Sequence, residues 1–124
     1  MIWTGKTSRR AVLAGAVGLI ATGTARAQNF PSSRVTLVVP FPPGASTDTT
    51  MRVIANKLSQ MWGQPVLVDN KGGGNGIIAA EFVKNAKPDG YTLLATSSMT
   101  HAGNPVLYDK LPYDPIADFA PISR

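Results

Sequence analysis

Val35-Thr36-Leu37-Val38-Val39-Pro40-Phe41-Pro42-Pro43-Gly44-Ala45-Ser46-Thr47-Asp48 is the stretch whose reading decides the fold. Residues 35–39 form a short run rich in β-branched side chains, the pattern of a strand covered on both faces. Pro40, Pro42 and Pro43 stop the strand and stiffen the loop after it. Gly44 permits a positive φ or the close approach of another group. Ser46, Thr47 and Asp48 are all residue types that favour a helix N-cap. A strand running through a tight loop into a helix leaves backbone N–H groups at the carboxyl edge of a sheet. Open α/β sheets bind ligands at that edge, and a helix start there favours anions.

The chain has 124 residues, which bounds it at one domain or part of one. There is no Cys, which excludes disulfides, thiolate metal sites and a Cys nucleophile. One His and seven carboxylates leave little from which to build a metal site, and no metal or cofactor is expected. The net charge of +5 is concentrated at one end: Lys6, Arg9, Arg10 and Arg26 precede any acidic residue, and without them the charge is +1. The other charges are scattered, with no basic run, so nucleic acid is not an expected partner.

Residues 1–27 read as an address. A basic start is followed by a small apolar run over 11–21 and by Ala25-Arg26-Ala27, an A-x-A cleavage signal. The apolar run is shorter than the roughly 20 residues of a membrane span. Ser8-Arg9-Arg10-Ala11-Val12-Leu13 is similar to the twin-arginine export motif. Two export routes fit, the twin-arginine and the Sec systems. Both deliver a mature chain beginning near Gln28, cleaved near Ala27, to the periplasm.

Residues 28–124 then alternate strand and helix. After the strand at 34–39, the spacing predicts a helix over 49–62. Met51, Ile54, Ala55, Leu58, Met61 and Trp62 form its apolar stripe, Arg52 lies on its wet face, and Gly63 is its stop. Trp62 is expected in the core. Pro65 introduces a second strand centred on 66–68. A glycine loop, Asn70-Lys71-Gly72-Gly73-Gly74-Asn75-Gly76, leads to a helix over 77–86 with Ile78, Ala79, Phe82 and Val83 inward. A turn at Lys87-Pro88-Asp89-Gly90 precedes a third strand over 91–96. Asn104 caps a short helical turn opened by Pro105, Asp114-Pro115 repeats the device, and 120–123 begins another strand. The βαβαβ order predicts an α/β fold with a mostly parallel sheet and helices on both faces.

Three loops therefore follow three strand ends: residues 40–48, 70–76 and 97–104. In a parallel sheet they share one edge. They offer amides, hydroxyls and helix starts with a single cation, Lys71, as a pocket for a small anion would. The glycine loop lacks the spacing of either nucleotide-binding fingerprint. Its readings are a flexible turn or a backbone-lined ligand loop. No G-x-S-x-G elbow and no acid–base pair favours an enzyme.

Val38 to Asp48 as quoted, Pro88-Asp89-Gly90-Tyr91-Thr92-Leu93-Leu94, His101-Ala102-Gly103-Asn104-Pro105, Leu111-Pro112-Tyr113-Asp114-Pro115 and Asp118-Phe119-Ala120-Pro121 resemble the Bug family. These are the extracytoplasmic solute receptors of tripartite tricarboxylate transporters. The resemblance implies a type II periplasmic-binding-protein-like fold of two domains that close on a carboxylate-bearing solute. The solute would be held by backbone amides and bridging waters, and passed to the membrane components of the transporter. Family members are longer, so residues 28–124 are expected to be the amino-terminal part of the first domain. Ala45 stands where the family usually has a second glycine. Gly72 and Ile77 stand where it has proline and asparagine.

The ligand-binding residues expected on this reading are Phe41, Gly44, Ala45, Ser46, Thr47 and Asp48 in the first loop. Gly74 and Gly76 belong to the second, and Ser98, Thr100, His101 and Asn104 to the third. No catalytic residue is expected. Asp48 has two readings, a helix-start acid or a grip on a ligand ammonium. Ser46 and Thr47 either cap or contact, Phe41 is core or cleft wall, and His101 is a ligand contact or a hydrogen-bonded loop histidine. The leading function is a periplasmic receptor capturing a small di- or tricarboxylate for uptake. The alternatives are a secreted sensory carboxylate-binding module and a secreted α/β hydrolase.

Overall fold

β1 (Val35–Val39) is the middle strand of a three-stranded sheet, flanked by β2 (Val66–Asn70) and β3 (Thr92–Leu94). The computed structural model describes residues 29–123; the expected signal peptide, its twin-arginine motif and its cleavage site lie outside the described residues. Both neighbours are parallel to β1, with Val39 opposite Asn70 and Val38 opposite Leu94. A strand hydrogen-bonded on both sides and covered on both faces must be apolar throughout, which is why this run is almost entirely Val and Leu. Val35, Val38 and Val39 are completely buried.

The two faces are covered by different helices. Val35 and Leu37 pack with Val66 of β2 and Ala55 of α1 (Ser46–Trp62), and Leu58, Trp62, Val68, Tyr91 and Leu93 close around them. Each such side chain contributes about 1.5–3 kcal/mol when fully buried. Val38 points to the opposite face by strand alternation, where α2 (Ile77–Lys84) packs against β1 and β3. Trp62 takes its expected place in the core and also meets the Phe30 ring edge-on, with centroids 6.2 Å apart.

Several boundaries differ from the sequence reading. α1 begins at Ser46, three residues earlier than predicted, with Ala45 as its N-cap. Hydroxyl-rich residues favour caps because they compete for backbone groups. Here the Thr49 and Thr50 hydroxyls instead donate to the helical carbonyls of Ala45 and Ser46, at 3.3 and 2.9 Å. β2 runs on to Asn70, β3 is confined to three residues, and residues 120–123 are irregular rather than a strand. α2 is turned from its expected orientation. Ala79 is buried as expected, but its buried companion is Ala80, while Ile78 and Phe82 are about half exposed. The two small side chains let the helix lie close on the sheet, and Phe82 carries the Lys71 ammonium over its ring at 4.1 Å. Asn104 lies inside α3 (Asn104–Leu107), with Gly103 as the N-cap. Among the described residues no helix is long and apolar enough to cross a membrane.

The order β2-β1-β3 means the chain leaves β1 to one side and then crosses back over it to reach β3. The glycine loop makes that crossing over the carboxyl end of β1, through a 3₁₀ turn at Gly74–Gly76. Gly76 has φ +86°, and a Cβ there would lie 2.5 Å from the Thr100 Oγ1 and 3.3 Å from Pro40 Cβ. Only glycine fits. Gly76→Ala should therefore destabilise the fold by about 1–3 kcal/mol, from the left-handed backbone together with overpacking, as read by urea denaturation.

Candidate functional site

The parallel register brings the carboxyl ends of all three strands to one edge, and the strand order reverses between β1 and β3, the point at which open α/β sheets bind ligands. The start of α1 stands beside it. The N–H groups of a helix's first turn have no intrahelical acceptor, and no side chain caps those of α1. Two amides of the preceding loop are already used. Gly44 N–H donates to the Asp48 carboxylate at 2.9 Å, and Ala45 N–H donates to the Pro42 carbonyl at 3.2 Å. The groups left at this edge are the amides of Ser46 and Thr47, with the exposed Ser46 side chain beside them.

Asp48 is neither an N-cap nor open to solvent. It sits in the first turn and is only 2% exposed. Besides the Gly44 amide, its Oδ2 accepts from Arg52 Nε at 3.0 Å, and its Oδ1 accepts from Asn70 Nδ2 at 2.8 Å. The Arg52 bond, the Gly44 amide and the Asn70 amide hold its pKa down to about 2. Its charge is thus balanced inside the protein, which lessens the repulsion a ligand carboxylate would otherwise meet.

Asn70 and Arg52 are the residues at this edge that the sequence reading left out. The wet-face Arg52 is half-exposed and donates from Nη2 to Asn70 Oδ1 at 3.0 Å. Asn70 Nδ2 also donates to the Phe41 carbonyl at 3.1 Å. The one sequence signal is the Asp48/Arg52 spacing of four on a helix; nothing local announces Asn70.

The third loop is bound to the second by buried groups. Thr100 and Asn104 are fully buried. Asn104 Nδ2 donates to the Asn75 carbonyl at 3.1 Å and to the Tyr113 hydroxyl at 3.0 Å, and Tyr113 donates onward to the Thr100 carbonyl at 2.6 Å. Both residues join loops from within, where the sequence reading has them facing a ligand. His101 Nδ1 is 2.7 Å from the Thr96 hydroxyl and its ring lies on Phe119; it is a hydrogen-bonded histidine as expected, but in a π-helical turn over Met99–Gly103 rather than in a loop, and its partial burial lowers its pKa. Gly74 lies on the exposed rim of the crossing and Gly76 beneath it; Ser98 is exposed. Lys71 is held by Asp69 at 3.2 Å and by the Phe82 ring, and is not a free cation. Two open surface hollows lie away from this edge, one beside Ile78 and Phe82 on α2 and one between Lys84 and residues 105–118.

Residues 50–124, more than half of the chain, match the family model described as the tripartite tricarboxylate transporter family receptor. The chain belongs to that family. It is 42% identical over 117 residues to the UPF0065 protein of the tcbD–tcbE intergenic region of Pseudomonas sp. strain P51, covering 92% of this chain and 34% of that protein. Its fold is similar to periplasmic binding protein BugD, with a TM-score of 0.70 and 38% identity, over 75% of this chain and 31% of that one. It is equally similar to MatC from Rhodopseudomonas palustris, solved with bound malate, with a TM-score of 0.70, 42% identity and coverage of 74% and 31%. The chain spans about a third of the length of these relatives. The sheet is thus that of a periplasmic-binding-protein domain.

Asp48 makes the receptor fold sensitive to acid. Its ordinary pKa is 3.8 and its folded value about 2, so its stabilising contribution is present above about pH 4 and is lost as the pH falls through 2. Denaturation measured between pH 4 and 2 should show a shallower acid decline in Asp48→Asn than in the unaltered chain.

Proposed function

We propose that this chain supplies the carboxylate-anchoring part of an exported solute receptor, which captures a small di- or tricarboxylate in the periplasm for the membrane components of a tripartite transporter. The observation that carries the reading is the uncapped first turn of α1, opening at the carboxyl edge of a parallel sheet beside the β1/β3 reversal. Two backbone amides there and the helix dipole favour one carboxylate group. The malate bound to MatC supports the same chemistry. Membership of a receptor family, together with the commitment of Asp48 and His101 to protein partners, favours binding over catalysis. The expected contacts narrow to the Ser46 and Thr47 amides, the Ser46 hydroxyl and the exposed Ser98 after β3. Phe41 and Gly44 shape the loop from behind.

A first-turn amide can be deleted without unfolding the helix. Ser46 is the first helical residue, the position proline favours. Ala45 before it has φ −66° and ψ 158°, the extended conformation a residue preceding proline requires. Ser46→Pro should therefore retain stability in the intact protein. Because the change also removes the Ser46 hydroxyl, Ser46→Ala, which keeps the amide, is its comparison: calorimetry should show malate affinity about ten- to hundredfold lower in Ser46→Pro than in Ser46→Ala, the value of one hydrogen bond to a charged group. Equal binding by Ser46→Pro would remove this helix start from the site. No binding of any di- or tricarboxylate by the unaltered protein would overturn the receptor reading.

A further inference from the structure

We propose that Asn70 is a positioning residue for this carboxylate site, because its side chain fixes the 40–48 loop and so aims the first-turn amides of α1. The proposal rests on the receptor reading above. The loop has few means of holding its own shape. Pro40, Pro42 and Pro43 have no N–H, and the only bonds made within it are those from Gly44 to Asp48 and from Ala45 to Pro42. Asn70 reaches it from outside. One side-chain amide nitrogen donates both to Phe41 O at 3.1 Å, near the loop's beginning, and to Asp48 Oδ1 at 2.8 Å, at its end.

The orientation of that amide is determined by its neighbours. Its oxygen accepts from Arg52 Nη2 at 3.0 Å. Turned over, it would set an amide NH₂ against a guanidinium and an oxygen against a carboxylate and a carbonyl. Its base is equally fixed. Asn70 pairs with Val39 in the sheet, and the next amide, Lys71 N–H, donates to Val39 O at 2.8 Å. The loop is thus referenced to the rigid sheet at the strand end from which it departs. Asn70 acts through Phe41 and Asp48, without touching the ligand itself.

The test uses malate as probe on the intact protein, with calorimetry for affinity and urea denaturation for stability. Asn70→Asp keeps the shape, cannot donate, and sets a second carboxylate against Asp48; Asn70→Ala removes the group altogether. Ser59→Ala is the structural control. It deletes the acceptor of the Val66 N–H bond, 2.8 Å, at the far end of the same α1–β2 junction. Both Asn70 variants should lose malate affinity about tenfold or more, as expected for one or two lost hydrogen bonds. Ser59→Ala should lose stability and bind as before, and Asn70→Gln, which keeps the amide on a longer stem, should recover part of the loss. Unchanged affinity in both Asn70 variants would overturn the proposal while leaving the receptor reading intact. So would an equal affinity loss in Ser59→Ala at equal stability loss. Absence of carboxylate binding in the unaltered protein would overturn both.

Discussion

The carboxylate of Asp48 is the knot on which the carboxyl edge of the sheet depends. A nearly fully buried anion is costly unless charge and hydrogen bonds meet it inside the protein. Three donors do so, and each comes from a different part of the structure: the loop at Gly44, the second turn of α1 at Arg52 and the end of β2 at Asn70. Satisfying one side chain therefore joins loop, helix and sheet in a single arrangement. The proline-rich loop cannot settle elsewhere without stranding that charge.

A second buried network performs the corresponding task after β3. Asn104 and Tyr113 connect the third loop to the carbonyls of Asn75 and Thr100. Asn104 Oδ1 has no donor in this network, so the cost of burying the amide is met from its nitrogen side alone. Gly76 lies against Thr100 where no other residue fits. The outcome is a rim at which buried polar side chains hold the second and third loops together.

Farther from the edge, the segment after α3 is fastened by its own polar latch. Lys84 of α2 donates to Pro112 O and pairs with Asp118, each at 2.9 Å. Asp118 in turn accepts the Asp114 amide, and Asp114 accepts those of Ile116 and Ala117. These bonds hold both carboxyls below their ordinary pKa and place Tyr113 where it can reach Asn104. The Asp114-Pro115 turn expected from sequence is thus also a support for the third loop.

The sequence by itself determined the alternation of strands and helices, the parallel sheet and the common edge of the three loops. Those arise from local signals: a valine run broken by prolines, an apolar stripe ending at Gly63, and glycines where the chain must turn. It also carried the family, because the motifs lie in the loops and turns. Tertiary structure alone decided which way the polar side chains face. Ser46, Thr47 and Asp48 are equally good as caps or as helix, and Asp48 is held inward by the Gly44 amide, by Arg52 and by Asn70 of β2, the last of them 22 residues away in sequence. Thr100 and Asn104 look like ligand groups because they are polar and follow the end of a strand, yet they lie in helical turns. Thr100 meets Tyr113 from 13 residues away and Asn104 meets Asn75 from 29, distances over which sequence spacing carries no directional information. The rotation of α2 has the same origin, since two alanines fit closely against a sheet whose surface is set by β1 and β3.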